Sequence, residues 1–245
     1  MRNFKLIIQY DGTKYNGWQK QGNTRNTLQG IFENIISKIF DTDIEIYGSG
    51  RTDAGTHAKG QVANFKCETN MTVEEISSII NKYLPKDIAV IDCQEVDMRF
   101  HSRLNAKSKE YLYIIDNGEV HDPFMKNYAF RVEEKLDIEL MKRAAYCFIG
   151  EHDFRAFCSN KRYKKSTVRT IYSIDIIENE GKINIVFNGN GFLYNMVRII
   201  VGTLIEVAAY KKNIEDINNI FNEEKRINAG FTAPSHGLYL MEVFY

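Results

Sequence analysis

The chain of 245 residues has little proline, no net charge and no close pair of cysteines. Each absence excludes some classes of protein. Only three prolines occur, which excludes a proline-rich linker. The 32 Lys and Arg residues balance 32 Asp and Glu residues, which argues against a generally basic nucleic-acid coat protein or a membrane-surface protein. A local basic groove remains compatible with this balance. With 44% hydrophobic residues, the chain can bury a core without a disulfide or metal staple.

Long apolar runs are also missing. The longest apolar stretch, 196–209, is interrupted by Arg198 and Glu206, so we expect no transmembrane helix and no membrane association. The first ten residues carry an apolar stretch too short for a signal peptide. The four cysteines include no CxxC pair. These features predict reduced thiols, no zinc site and a cytoplasmic location.

Hydrophobic periodicity in the first 105 residues predicts the element order β-α-β-β-α-β, which is the ferredoxin-like unit. The pattern indicates strands at 4–10, 44–47, 61–65 and 88–96, and helices at 28–40 and 72–83. Asn26 or Thr27 is the expected cap of the first helix, and Thr72 that of the second.

The remaining residues repeat this order, with an additional helix before the last strand. The pattern indicates strands at 110–116, 168–177, 183–188 and 238–244, and helices at 136–148, 192–208 and 213–221. The predicted fold class is therefore α+β, with one ferredoxin-like half at 1–105 and a second at 106–245. The boundary lies in the polar stretch 101–109.

The densest signal for function is the stretch 48–60, GSGRTDAGTHAKG, which holds four of the 16 glycines. Glycine adopts backbone conformations that other residues resist and lets a ligand approach closely. The stretch also carries Arg51, Asp53, His57 and Lys59. It matches neither GxxxxGK(S/T) nor GxGxxG, which disfavours a nucleotide-phosphate loop. Two interpretations stay open, a site for chemistry and a glycine-rich connection with solvated charges.

A cation interrupts the segment 192–205, which is apolar nearly all round and predicts a buried helix. Arg198 lies in its middle. A buried guanidinium needs a partner, because an orphan one costs several kcal/mol. Asp53 of the glycine-rich stretch is a candidate, and the alternative is that Arg198 extends to the surface.

A basic run occupies 161–169, where five of nine residues are cationic, while acids cluster at 133–139. Such segregation would give a neutral protein a phosphate-binding face, and the alternative is a solvated loop. The candidate phosphate-binding residues are Lys161, Arg162, Lys164, Lys165 and Arg169.

The strand at 110–116 is preceded by a cation and carries two tyrosines. Its period of two puts Lys109, Tyr111 and Tyr113 on one face. A tyrosine beside a cation on an open face can stack a base, and ordinary packing of amphipathic tyrosines is the alternative.

Taken together, these motifs resemble those of one known family. The sequence GRTDAGTHA at 50–58 resembles the catalytic loop of the tRNA pseudouridine synthase A (TruA) family. Other segments agree with the family in the same order along nearly the whole chain: YDG at 10–12, GWQ at 17–19, KEYLY at 109–113, GEHDFRAF at 150–157, NMVRIIVG at 195–202 and APSHGLYL at 233–240.

The resemblance implies a cofactor-free isomerase that converts uridine in tRNA to pseudouridine. The glycosidic bond is cut, the uracil turns, and carbon 5 of the ring bonds to the ribose. By resemblance, Asp53 is the catalytic aspartate. A carboxylate can attack the anomeric carbon as a nucleophile, or remove the neighbouring ribose proton to give a glycal, and both routes stay open.

The resemblance also implies roles for four further residues. Arg198 is the ion-pair partner that orients Asp53. Tyr111 stacks on the target base and helps to remove the carbon 5 proton. Arg51 enters the RNA stem in place of the flipped nucleotide, and Leu240 lines the uracil pocket.

The implied fold has two ferredoxin-like halves whose antiparallel sheets join into one central mixed sheet. Helices pack on this sheet, and a positively charged active-site cleft lies between the halves. The resemblance further implies a homodimer and a tRNA substrate modified at uridines 38, 39 and 40 of the anticodon stem-loop. Two other classes stay open, an RNA-binding protein without catalysis and a nucleoside-cleaving hydrolase that releases the free base.

Overall fold

A computed structural model describes residues 1–160 and 165–245 of the chain, and these residues form two compact units. The first unit comprises Met1–Lys107 and Tyr239–Tyr245, and the second comprises Ser108–Leu238. Helices and antiparallel strands mix in both units, which confirms the predicted α+β class.

The first unit has the ferredoxin-like order predicted for it. Its elements are β1 (Arg2–Tyr10), α1 (Leu28–Phe40), β2 (Ile46–Gly48), β3 (His57–Cys67), α2 (Val73–Tyr83) and β4 (Ile88–Val96). The strands lie in the order β4-β1-β3-β2, and every pair among them is antiparallel. The sequence pattern alone therefore predicted the order of these elements along the chain.

Local capping chemistry explains where the two helices of the first unit begin. The Thr27 side chain accepts a hydrogen bond from the Gly30 N–H at the start of α1. Thr72 and Glu75 form a reciprocal capping box at the start of α2, which confirms Thr72 as the cap of this helix. Helix α1 then buries one apolar face, which includes Leu28, Phe32, Ile35 and Ile36.

Strand β3 is longer than the sequence indicates, because it begins at His57 rather than at residue 61. A glycine in a strand interior usually weakens it, and Gly60 obscured the pattern. A Cβ at Gly60 would lie 2.2 Å from the Met241 carbonyl oxygen. Gly60 thus admits the close approach of the last strand, β10 (Leu238–Phe244).

The position of β10 differs from the predicted domain division. All but its first residue belong to the first unit, whereas chain order assigned it to the second half. It runs parallel to β3 through the pairs Tyr239↔His57 and Leu240↔Ala58. A pattern of apolar residues does not specify which strand is the neighbour, so this grouping was not predictable.

The second unit contains an antiparallel sheet with helices that pack beside it. Its elements are β5 (Ser108–Asp116), β6 (Phe130–Arg131), α3 (Ile138–Ala145), β7 (Gly150–Asp153), β8 (Val168–Asn179), β9 (Lys182–Gly189), α4 (Met196–Ala208) and α5 (Ile214–Glu223). The order is β5-β9-β8-β7, and β6 pairs parallel with β5. Strands β6 and β7 were not predicted, since two and four residues are too few to show a period.

Helix α4 is shorter than predicted, and this changes the setting of Arg198. Asn195 adopts the left-handed conformation with φ 62°, so the helix begins at Met196 rather than at residue 192. Arg198 therefore lies in the first turn of α4 instead of its middle, and it is half-buried. The sequence pattern was misleading because the apolar residues 192–194 precede the helix instead of belonging to it.

The four cysteines are free thiols, as their spacing predicts. Within the described residues, no helix is both long and apolar enough to cross a bilayer.

Candidate active site

The glycine-rich stretch forms the connection between β2 and β3 in the first unit. Asp53 is half-buried there, Arg51 is exposed, and the intervening Thr52 is buried. The paired strands β2 and β3 close the base of this connection, hereafter the Asp53 loop (residues 49–56). A carboxylate at this place is held by a rigid sheet without being sealed from solvent.

The segment that follows β1 clamps the Asp53 loop from one side. The Trp18 N–H donates to the Thr52 carbonyl at 3.1 Å, and the Gly55 N–H donates to the Tyr15 carbonyl at 3.2 Å. Gly17 has φ +87°, and a Cβ there would lie 2.5 Å from the Thr52 carbonyl oxygen. Only glycine provides both this backbone conformation and this close approach.

Buried side chains fix the entry of the same loop. The Tyr10 hydroxyl lies 2.8 Å from Oγ1 of Thr52, and burial raises the pKa of Tyr10, so this phenol stays protonated. Ser49 donates to Oε1 of Gln61 at 2.7 Å, and Gln61 in turn donates to the Gly50 carbonyl at 3.0 Å. The residues on both sides of Arg51 are therefore held by hydrogen bonds in the interior.

A tight turn follows at Asp53 itself. The Thr56 N–H donates to the Asp53 carbonyl at 3.1 Å, and Gly55 within the turn has φ +78°. Asp53 is the only acidic residue in 48–60. The backbone that carries this carboxylate is thus fixed both before and after it.

His57 anchors the exit of the loop. Its imidazole is buried, and Nδ1 accepts a hydrogen bond from the Gly12 N–H at 3.0 Å. The ring stacks on that of Tyr239 with centroids 4.8 Å apart. Leu240, the next residue of β10, is fully buried and lies opposite Ala58. The imidazole of the motif thereby joins the end of β1, the start of β3 and the start of β10.

Tyr111 and Tyr113 lie on β5 of the second unit, and both are buried. The Tyr113 ring is fully enclosed and its hydroxyl donates to the Pro234 carbonyl at 2.8 Å, so this tyrosine packs in the core. Tyr111 makes an edge-to-face contact with Phe192 at 5.2 Å. The strand therefore does not present an open face with both tyrosines on it.

Arg198 in the second unit has defined acceptors. Its Nε donates to the Ala233 carbonyl at 2.6 Å, and its Nη1 donates to Oδ1 of Asn195 at 2.8 Å. The Asn195 amide nitrogen donates in turn to Oγ of Ser159 at 2.9 Å. The guanidinium is thus oriented by its surroundings rather than extended freely into solvent.

Two members of the basic run can be located. Lys165 is exposed, and Arg169 is half-buried with Nη1 donating to the carbonyls of Ser166 at 2.9 Å and Val168 at 2.6 Å. Arg169 therefore braces its own loop. The other three candidates, Lys161, Arg162 and Lys164, lie outside the described residues.

Sequence reasoning missed the residues that support the candidate site. Tyr10 and Gly17 fall within the quoted motifs YDG and GWQ, yet nothing in either motif indicated contact with the Asp53 loop. Gln61 and Asn195 carried no signal beyond their residue types. Among the predicted residues, Arg51, Asp53 and Leu240 belong to the first unit, and Tyr111, Arg198, Lys165 and Arg169 belong to the second.

Comparison with known proteins defines the class. Residues 6–105 and 144–245, well over half of the chain, match the family described as tRNA pseudouridine synthase. The chain therefore belongs to the tRNA pseudouridine synthase family, whose members are isomerases.

Individual relatives narrow this class to one branch. A tRNA pseudouridine synthase A of Bacillus sp. (strain KSM-64) is 52% identical over 240 residues, which cover 98% of each chain. A protein of the same name from Acetivibrio thermocellus is 46% identical over 245 residues, which cover 100% of each. Within the family, the chain is thus of the A (TruA) type, as its motifs indicate. A solved structure titled "Crystal Structure of a Cbf5-Nop10-Gar1 Complex" gives a TM-score of 0.39 at 13% identity, covering 97% of this chain and 49% of that chain, which is too low to carry an inference.

Proposed function

We propose that this enzyme isomerises uridine to pseudouridine in the anticodon stem-loop of tRNA, at positions 38, 39 and 40, with Asp53 as the catalytic carboxylate and without a cofactor. The observation that carries the proposal is the setting of Asp53. It is half-buried, it is the sole acid of a glycine-rich loop, and hydrogen bonds fix the backbone on both sides of it.

This setting suits the chemistry. The reaction must break the bond between uracil and C1′ of ribose and then form a bond from C1′ to carbon 5. Asp53 supplies a carboxylate either as a nucleophile at C1′ or as a base for the neighbouring ribose proton. A fixed carboxylate serves both routes, because positioning the reacting groups in advance removes an entropic cost from the barrier.

Roles for other residues follow from the family resemblance. Arg198 is proposed as the charge partner of Asp53, and the bonds from its guanidinium to Ala233 and Asn195 favour this by restricting its orientation. Tyr111 is proposed to stack on the target base. Arg51, which is exposed, is proposed to fill the place of the flipped nucleotide, and Leu240 to line the uracil pocket.

Substrate binding is proposed to use a homodimer in the cytoplasm. Lys161, Arg162, Lys164, Lys165 and Arg169 are its proposed contacts with phosphate. Arg169 is the weakest of these, since its guanidinium already bonds to carbonyls of its own loop. Sedimentation of the purified protein tests the dimer, and a monomer that retains full activity would contradict it.

The decisive test is product mapping. The purified enzyme is incubated with tRNA transcripts labelled in uridine, together with transcripts in which uridines 38, 39 and 40 are individually replaced by cytidine. We expect pseudouridine at these positions and no free uracil. Free uracil would identify a hydrolase, and unchanged tRNA would identify a non-catalytic RNA-binding protein. Pseudouridine at other positions alone would contradict the proposed site.

A further inference from the structure

The connection between β4 and β5 carries an unassigned group of cations, all in the first unit. Between residues 98 and 109 there is no acidic residue, while Arg99, Arg103 and Lys107 are exposed. Among the described residues, these three cations form no ion pair with a carboxylate, whereas Arg2, Lys14 and Lys20 of the same unit do. Residues 99–107 are called the basic turn below.

The basic turn is held from beneath by buried polar side chains. Asn3, which has no exposed surface, donates to the carbonyls of Asp97 at 2.9 Å and Phe100 at 3.0 Å. The equally buried Ser102 donates its N–H to Oδ1 of Asn64 at 2.9 Å. Buried polar groups are costly unless satisfied, so a satisfied network of this kind fixes one conformation.

Further hydrogen bonds close the turn on itself. The N–H groups of Leu104 and Asn105 both donate to the His101 carbonyl, at 3.1 and 3.0 Å. The Tyr245 hydroxyl donates to the Ser102 carbonyl at 2.7 Å. The cations therefore stand on a compact, preformed base, and binding a ligand there requires little ordering of the backbone.

The basic turn adjoins the strand that leads into the Asp53 loop. Oγ of Ser102 donates to the carbonyl of Tyr47 in β2, and the ring of His101 lies 5.0 Å from that of Tyr47. Arg51 follows Tyr47 by four residues, which span at most about 14 Å of extended chain. One nucleic-acid stem can therefore contact the basic turn and the Asp53 loop together.

We propose that the basic turn is a phosphate-binding surface that holds the tRNA backbone beside the Asp53 loop. This inference rests on the proposed role of that loop. The chemistry favours phosphate, because three exposed cations that pair with no carboxylate of the described residues attract a polyanion, and tRNA is the polyanion that the family recognises. An acidic protein partner would use the same charges but would leave tRNA affinity unchanged when they are removed.

The test compares two triple variants of the full chain. Arg99→Gln/Arg103→Gln/Lys107→Gln removes the charges of the basic turn. Lys38→Gln/Lys82→Gln/Lys86→Gln is the matched control, since it changes the net charge equally and removes three exposed cations, two in the last turns of α1 and α2 and one just after α2. Filter binding to one tRNA transcript is measured over a series of salt concentrations.

We expect the basic-turn variant to lower the slope of log Kd against log salt by about 2 to 3, since each phosphate contact contributes roughly one unit. The control should leave the slope unchanged. An unchanged slope in the basic-turn variant, or an equal drop in both variants, would overturn the proposal. Thermal unfolding of both variants verifies that they are folded.

A third variant separates charge from positioning. Ser102→Ala keeps all three cations but removes the hydroxyl bond to Tyr47. It should weaken tRNA binding several-fold with no change in slope, whereas wild-type affinity would show that the fixed turn geometry is irrelevant and would contradict this part of the inference. Turnover at saturating tRNA should stay within about twofold of wild type in the control variant, because Lys38, Lys82 and Lys86 belong neither to the basic turn nor to the proposed catalytic groups. A salt slope that falls as expected, with Asp53→Asn fully active, would retain the surface and reject only the catalytic assignment.

Discussion

The hydroxyl of Tyr10 lies 2.8 Å from Oγ1 of Thr52, and both side chains are buried. This contact joins the last residue of β1 to the residue before Asp53. It links two sequence motifs, YDG and GRTD, through residues that are 42 positions apart in the chain. The Asp53 loop is thus supported from the end of β1 by a buried contact.

Removal of one partner from this buried pair should destabilise the protein. Tyr10→Phe and Thr52→Val each remove one hydroxyl of this buried contact, which costs about 1–3 kcal/mol, while the double variant replaces both with apolar groups of similar shape. We therefore expect the double variant to be less destabilised than the sum of the single variants. Urea unfolding of the four proteins measures the coupling, and additive losses would show that the two hydroxyls do not interact.

The close approach at Gly17 should not tolerate a side chain. Gly17→Ala places a methyl group 2.5 Å from the Thr52 carbonyl oxygen at φ +87°. We expect a loss of more than about 1 kcal/mol in unfolding free energy, together with reduced turnover, because the Asp53 loop must move. Gly22→Ala is the control, since a Cβ there meets nothing within 4 Å. Its stability should lie within about 0.5 kcal/mol of wild type, and equal effects of the two changes would refute the argument.

Asn195 should matter to activity more than to stability. Glycine adopts the left-handed conformation of this position readily, so Asn195→Gly should remain well folded. It removes the acceptor of Arg198 Nη1, however, and a hydrogen bond to a charged group is worth about 1.5–3 kcal/mol, so kcat should fall roughly tenfold or more.

Ser159→Ala serves as the comparison for Asn195. It removes the other partner of the amide and leaves the bond to Arg198 in place. We expect near wild-type kcat for Ser159→Ala. Full activity in stable Asn195→Gly would mean that the amide does not position the guanidinium.

The free energy of unfolding should fall at alkaline pH because the Cys93 thiol ionises more readily in the unfolded chain. Burial raises the pKa of this thiol to about 12, whereas an unfolded thiol titrates near pH 8.5. Above pH 8.5 the unfolded chain therefore loses a proton that the folded chain keeps. The contribution of the Cys93 thiol to the free energy of unfolding is complete below pH 8.5 and is lost as pH rises toward 12. Between pH 7.5 and 9.5, the free energy of unfolding measured with urea should fall by about 1 kcal/mol more in wild type than in Cys93→Ala. Equal losses would show that the Cys93 thiol ionises alike in both states.

Periodicity and capping residues predicted the elements of the first unit well, because its helices are amphipathic and Thr27 and Thr72 are strong caps. Failures occurred where tertiary contacts override local preference. Gly60 sits inside β3 because β10 approaches it, and α4 begins only after Asn195, a left-handed residue whose amide bonds to Arg198 and Ser159.

The candidate site was also predictable only in part, because some of its residues form a local sequence pattern and others do not. Asp53 and its loop stood out because glycines and charges are concentrated there. Tyr10, Gly17 and Gln61 did not, since each acts through one long-range contact that leaves no local pattern. Arg99, Arg103 and Lys107 are spread over nine residues, and their common exposure emerges only when the turn is folded.

The central claim is that Asp53 performs the chemistry. Asp53→Asn is nearly isosteric and removes both the charge and the nucleophilicity, while binding should depend on cations and stacking over a larger surface. Tritium release from carbon 5 of labelled uridine in tRNA is measured beside filter binding of the same tRNA. We predict that release disappears in Asp53→Asn while affinity changes by less than about tenfold, or 1.4 kcal/mol. Release near the wild-type rate would contradict the account.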